Sequence, residues 1–167
     1  YGPDTVSLTS TPLYSNTTLV SVLATVGNGG TTILMPKSDV VKFLEIAQRE
    51  RVTHAMLVPV QYQRILAHPD FDRYDLSSFK AKLSTSAPLR AQVKADCLAR
   101  WPGRLIEIYG LTEGGASCTL EANLHPGTLH TVGQPGLGSE IVVLDEEGRV
   151  LPRGAVGELA GRAAVMM

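Results

Sequence analysis

Short apolar, β-rich runs recur along the chain at intervals of roughly 25 residues, the spacing that a strand, a helical crossover and the next parallel strand require. Residues 31–35 read TTILM and are closed by Pro36; residues 54–58 read HAMLV and are closed by Pro59. Residues 82–86 read KLSTS before Ala87-Pro88, and residues 105–109 read LIEIY before Gly110. An earlier extended run over 6–13 begins the series. The apolarity is continuous rather than strictly alternating, which is the pattern of strands buried on both faces of a parallel sheet.

Helical patterns lie between the runs. After Ser38, a plausible N-cap, Val40, Phe43, Leu44 and Ala47 follow the i, i+3, i+4, i+7 rule, with Lys42, Glu45, Gln48 and Arg49 on the other side. Leu89, Val93, Cys97 and Trp101 repeat every fourth position, and Trp101-Pro102-Gly103 stops that helix. Weaker helices are expected over 17–25 and 60–67, and the polar stretch 70–79 reads as a surface loop. Beyond Glu113 the pattern changes to a long glycine- and proline-punctuated segment. There, 141–144 and 149–151 flank Asp145-Glu146-Glu147-Gly148 as a hairpin, and 156–160 reads as a further strand. The expected fold is α/β: a mostly parallel sheet built from βαβ units over 1–128, then a small antiparallel β element over 129–167.

Composition narrows the function. Of the 167 residues, 44% are apolar and 19% charged, enough to bury a core. Fifteen Lys+Arg against 16 Asp+Glu leave a net charge of −1, which argues against a nucleic-acid binder. Aromatics at 5% are too few for a base-stacking platform. Cys97 and Cys118 match no disulfide or zinc spacing, and His125 and His130 share a loop without Cys or Asp partners. No apolar run nears the roughly 20 residues of a membrane span, and no signal peptide is evident, so the expected location is the cytoplasm. The chain opens on Tyr1 and closes on the apolar run 163–167, which reads as a segment of something longer.

The densest chemistry is Tyr109-Gly110-Leu111-Thr112-Glu113-Gly114-Gly115, leaving the carboxyl end of the fourth of these strands, where open α/β sheets bind ligands. Glycines admit a phosphate, a Thr hydroxyl can donate to it, a Glu carboxylate suits Mg²⁺, and Tyr109 offers a flat face to a purine. The alternative is a glycine-rich turn with Tyr109 in the core and Glu113 solvated. A second candidate, Ser84-Thr85-Ser86-Ala87-Pro88-Leu89, forms a tight loop before a helix, or a plain βα turn capped by Ser86. Neither a Walker loop, nor GxGxxG, nor a GxSxG elbow is present.

Five motifs in order resemble the adenylate-forming superfamily of acyl-CoA synthetases, luciferases and peptide-synthetase adenylation domains. They are Thr11-Pro12-Leu13-Tyr14-Ser15-Asn16, Ser86-Ala87-Pro88-Leu89, Tyr109-Gly110-Leu111-Thr112-Glu113, Val132-Gly133-Gln134-Pro135, and Gly154-Ala155-Val156-Gly157-Glu158-Leu159. The resemblance covers essentially the whole chain and is nearest the fatty-acyl and aryl-CoA ligase branch. It implies that Ser86, Ala87 and Pro88 line an adenine pocket, with Tyr109 on the base and Gly110 beside it. Thr112 would bond the α-phosphate of ATP, Glu113 would bind Mg²⁺, and Tyr14, Ser15, Gly114 and Gly115 would lie near the acyl group. The implied reaction joins a carboxylic acid, of the fatty-acid class, to AMP and then to coenzyme A. Delivery to a carrier protein, or nucleotide binding without catalysis, are the alternatives. Two positions depart from the pattern: Ser15 stands where many members carry His, and Glu107 where many carry an amide. A phosphate-binding loop before Tyr1 and a hinge with a catalytic Lys after Met167 complete the family's enzymes, so these 167 residues alone are expected not to turn over.

Overall fold

The regular elements alternate as the apolar runs require. In chain order they are β1 (Val6–Thr9), α1 (Asn16–Gly27), β2 (Thr31–Leu34), α2 (Val40–Arg49), β3 (His54–Leu57), α3 (Pro59–Leu66), β4 (Ala81–Ser84), α4 (Ala91–Arg100) and β5 (Arg104–Tyr109). Four further strands follow: β6 (Cys118–Glu121), β7 (Gln134–Pro135), β8 (Ser139–Leu144) and β9 (Glu158–Ala163). The computed structural model describes residues 1–113 and 117–163.

Seven strands form one sheet in the order β2-β1-β3-β4-β5-β6-β7. β1 to β5 run parallel. β6 and β7 close one edge antiparallel, pairing Tyr109 with Cys118 and Cys118 with Pro135. Most of the expected α/β layer is therefore present, but the glycine-rich segment after Glu113 is more ordered than its composition suggests. Gly133 shows why: at φ +85°, its Cβ would lie 2.0 Å from the Thr119 carbonyl oxygen, so only glycine lets this loop meet β6. The large sheet runs past residue 128 as far as Pro135. The second sheet has two strands, β8 and β9, paired over their full length from Ser139↔Ala163 to Leu144↔Glu158. The expected partner of 141–144 was 149–151; that segment contributes a single bridge, Leu144↔Val150. A local turn brings Arg149 back to Asp145 and the Leu151 N–H donates to the Val143 carbonyl at 2.7 Å, so this segment lies along one edge of β8 while β9 pairs with the other over six residues.

The two faces of the large sheet differ. Leu8, Ala55, Lys82 and Leu105 stand in one cross-strand row, and Leu8, Ala55 and Leu105 pack into the core with residues of α2, α3 and α4. Trp101, 1% exposed, is the centre of that core. Phe43, Phe71 and Phe79 meet its ring edge-on at 6.0, 5.6 and 5.2 Å between centroids. Phe71, Leu76 and Phe79 are all buried, so the stretch 70–79 is core-forming rather than a surface loop. Its polar residues face outward while three apolar anchors without helical or strand spacing face in.

Lys82 shares this layer, fully buried beneath Trp101. Its Nζ donates to the carbonyl oxygens of Trp101 (3.0 Å), Pro102 (2.6 Å) and Gly103 (2.8 Å), satisfying the end of α4. Burial lowers its pKa to about 8. Burial raises the neighbouring Cys97 thiol to about 11.

The opposite face carries hydroxyls. Alternation sends Ser7 and Thr9 there, and α1 covers it with Thr18, Ser21 and Thr25 while Leu19, Leu23 and Val26 are exposed. At α2 the cap is Asp39, whose side chain accepts the Lys42 N–H at 3.0 Å, and not Ser38. Ser38 Oγ instead accepts from Gln61 of α3 at 3.3 Å.

Candidate active site

Parallel register brings the carboxyl ends of the central strands level, with Leu57, Ser84 and Glu107 in one row. Above that row, the loops after β4 and β5 face each other, and the first turn of α1 lies alongside them. Two adjoining cavities result. The larger, about 470 Å³, is bordered by Asn16, Thr17 and Val20 of α1, by Thr85 and Ser86, and by Gly110, Thr112 and Glu113. The smaller, about 200 Å³, lies between Ser86-Ala87-Pro88, Tyr109-Gly110 and Val132. Ser86, Ile108 and Gly110 border both.

Ser86 is the hinge of this arrangement. Its φ of +75° is in the left-handed region, which costs a residue with a Cβ about 1–2 kcal/mol. Its Oγ shares a 2.7 Å hydrogen bond with Thr17 Oγ1, tying the β4 loop to α1. Such strain is held where the surroundings over-determine it, commonly at ligand sites.

The smaller cavity is walled by Ala87, Pro88, Val132 and the ring of Tyr109, which is 41% exposed. A flat apolar slot of this kind accepts a planar base. The larger cavity mixes hydroxyls and one carboxylate with Val20, Met56, Ile108 and Leu111. Thr112 and Glu113 are exposed on the turn leaving β5. Their hydroxyl and carboxylate are hard oxygen donors and fit Mg²⁺, which keeps several waters and takes one or two carboxylates beside phosphate oxygens. Among the described residues no three His, Cys, Asp or Glu side chains converge as a protein-only metal cage.

The structure thus brings together Ser86, Ala87, Pro88, Tyr109, Gly110, Thr112 and Glu113. Tyr14 and Ser15 border neither cavity. Tyr14 is 92% exposed and Ser15 is the N-cap of α1, so the helix turns Asn16 and Thr17 to the cavity in their place. Gly114 and Gly115 lie outside the described residues. Asn16, Thr17, Thr85, Ile108 and Val132 join the site without having been singled out for it; each sits in or directly beside a motif whose other members were. No helix among the described residues is long and apolar enough to cross a membrane.

Comparison with known proteins follows this geometry. The chain is 34% identical to a 4-coumarate–CoA ligase of Nicotiana tabacum, a match that covers 97% of the chain and 31% of that protein. It is 31% identical to the medium/long-chain-fatty-acid–CoA ligase FadD8 of Mycobacterium tuberculosis, over 81% of the chain and 24% of that protein. The amide bond synthetase McbA from Marinactinospora thermotolerans superposes with a TM-score of 0.87 at 31% identity, over 99% of this chain and 34% of McbA. The chain spans about a third of the tobacco ligase and of McbA, and its fold is the acyl-CoA synthetase-like fold. Residues 1–167 match the AMP-binding enzyme family throughout, and the chain belongs to that family.

Proposed function

We propose that the protein bearing this chain is an ATP-dependent acid–thiol ligase that activates a carboxylic acid, of the fatty-acid class, and passes it to coenzyme A. The observation that carries this reading is the junction of the two cavities. A slot suited to adenine meets, at Gly110, a wider space walled by hydroxyls, the Glu113 carboxylate and apolar side chains. ATP spanning that junction would set its phosphates against Thr112 and Glu113 and leave the remaining volume to the acid. The acid–CoA ligase names of two relatives agree with it.

In the first step a carboxylate oxygen forms a bond to the α-phosphorus and the bond to pyrophosphate breaks. In the second, the thiol sulfur bonds to the acyl carbon, AMP leaves with the oxygen, and the thiol proton passes to solvent. No general base is needed to generate a carboxylate, so the absence of a catalytic dyad in the site is compatible with the chemistry. Ser86, Ala87, Pro88, Tyr109 and Gly110 would hold the base, and Thr112 would donate to the α-phosphate as charge builds there. Mg²⁺ held by Glu113 would neutralise phosphate charge. Asn16, Thr17 and Val20, which border the larger cavity, would lie beside the acid.

The test is pyrophosphate release by the full-length protein over a panel of carboxylic acids, with and without coenzyme A. Release that depends on acid, followed by acyl-thioester formation, is expected. Binding of ATP with no acid-dependent release would refute the ligase reading. Glu113→Ala should lower release about 10²-fold or more, and full activity in that variant would remove Glu113 from the metal role.

A further inference from the structure

Lys94 of α4 and Glu107 of β5 form an ion pair sealed inside the protein, each residue being 2% exposed. The second carboxylate oxygen of Glu107 accepts the Leu89 N–H at 2.8 Å. Lys94 Nζ also donates to the carbonyl oxygens of Leu129 (2.9 Å) and Thr131 (2.8 Å). Three of these residues border the smaller cavity or stand next to a residue that does. Leu89 follows Pro88, Thr131 precedes Val132, and Glu107 borders the cavity on the strand that delivers Tyr109. The three walls of the slot come from three separate stretches of chain, and one buried pair grips all three.

Stability does not account for such a pair. Removing two ions from water costs much of what their attraction returns, and apolar replacements of similar volume are often no less stable. What an ionic node with three fixed partners does deliver is relative position. Lys82 is the internal contrast: it is equally buried and also donates to carbonyls, but it does so at the far end of α4, away from the cavities.

We propose that Lys94 and Glu107 are positioning residues that hold the Pro88, Tyr109 and Val132 walls at the spacing a nucleotide base requires. The inference rests on the adenine reading of the smaller cavity given above. Both act through the backbone they hold.

The experiment uses the full-length protein and measures ATP affinity by calorimetry together with KM for ATP and for the acid. Lys94→Met/Glu107→Leu removes both charges and leaves none stranded. It is expected to weaken ATP about tenfold while KM for the acid moves less than about twofold. Glu107→Gln keeps one acceptor oxygen and should lose about threefold, again for ATP alone; it carries the test should the double variant not fold. Lys82→Met, a structural control, should lower Tm without raising KM for ATP. Unchanged ATP affinity in the folded Lys94 or Glu107 variants would overturn the inference, as would a loss shared equally by ATP and acid. Failure of the unsubstituted protein to bind ATP would sink the adenine reading and this inference with it.

Discussion

The two faces of the large sheet are built on opposite principles. On one, α2, α3 and α4 press Phe43, Leu44, Tyr62 and Trp101 onto Leu8, Ala55 and Leu105 with almost no exposure. On the other, α1 meets the sheet through Thr18, Ser21 and Thr25 and exposes Leu23 and Val26 at 62% and 59%. The first face holds the fold. The second, whose contacts are hydroxyls of small side chains, leaves space, and Thr17, Val20 and Met56 border the larger cavity there. Burial energy concentrates on one side of the sheet, and the larger cavity opens on the other.

Breaking the apolar face should have the largest effect. Trp101→Ala empties the middle of an aromatic cluster and should cost about 3–5 kcal/mol, read as a fall in the urea midpoint. A cost below about 1 kcal/mol would mean that the centre of stability lies elsewhere.

Lys82→Met comes next, at about 2–3 kcal/mol, since three carbonyls lose their donor. Its pH dependence is specific. Folded Lys82 titrates at about 8, below the ordinary lysine value of 10.5, so between those values the unfolded chain binds more protons and stability rises with pH. Cys97 titrates at about 11 when folded against 9.0 unperturbed, so it binds more protons when folded and stability falls over that range. The protein should therefore gain stability above about pH 8 and have that gain offset above about pH 9. Lys82→Met should show the decline without the gain, and identical pH profiles would contradict the assignment.

The smallest effect belongs to the hydroxyl face. Ser21 is fully buried and its Oγ makes no well-formed hydrogen bond among the described residues, so Ser21→Ala should change stability by less than about 0.5 kcal/mol or raise it slightly. A loss like that of Trp101→Ala would erase the contrast between the faces.

What was legible in the sequence follows the same division. The stripes Phe43-Leu44-Ala47 and Leu89-Cys97-Trp101 have helical periodicity, and their burial follows from it. Phe71, Leu76 and Phe79 lack any period, and only the tertiary structure carries them inward. β6 and β7 pair with the strands just before them, but they are short and set in glycine- and proline-rich sequence that carries no strand period. In the site, residues at strand ends were readable because topology alone puts them together. Tyr14 and Ser15 precede the first turn of α1, and it is Asn16 and Thr17 just after them that border the cavity. Glu107 stands out in sequence as a charge within an apolar strand, but its partner Lys94 carries no such signal; packing α4 on β5 is what brings the two together.

The two cysteines are placed to time the opening of these regions separately. Cys97 is fully buried beside Trp101 with a thiol pushed to about 11, so alkylating reagents reach it only when the core itself opens. Cys118 sits on the antiparallel margin of the sheet, 7% exposed, where fewer strands must part to reveal it. Counting modified thiols against time would thus read two clocks from one molecule, a fast one at the margin and a slow one at the centre.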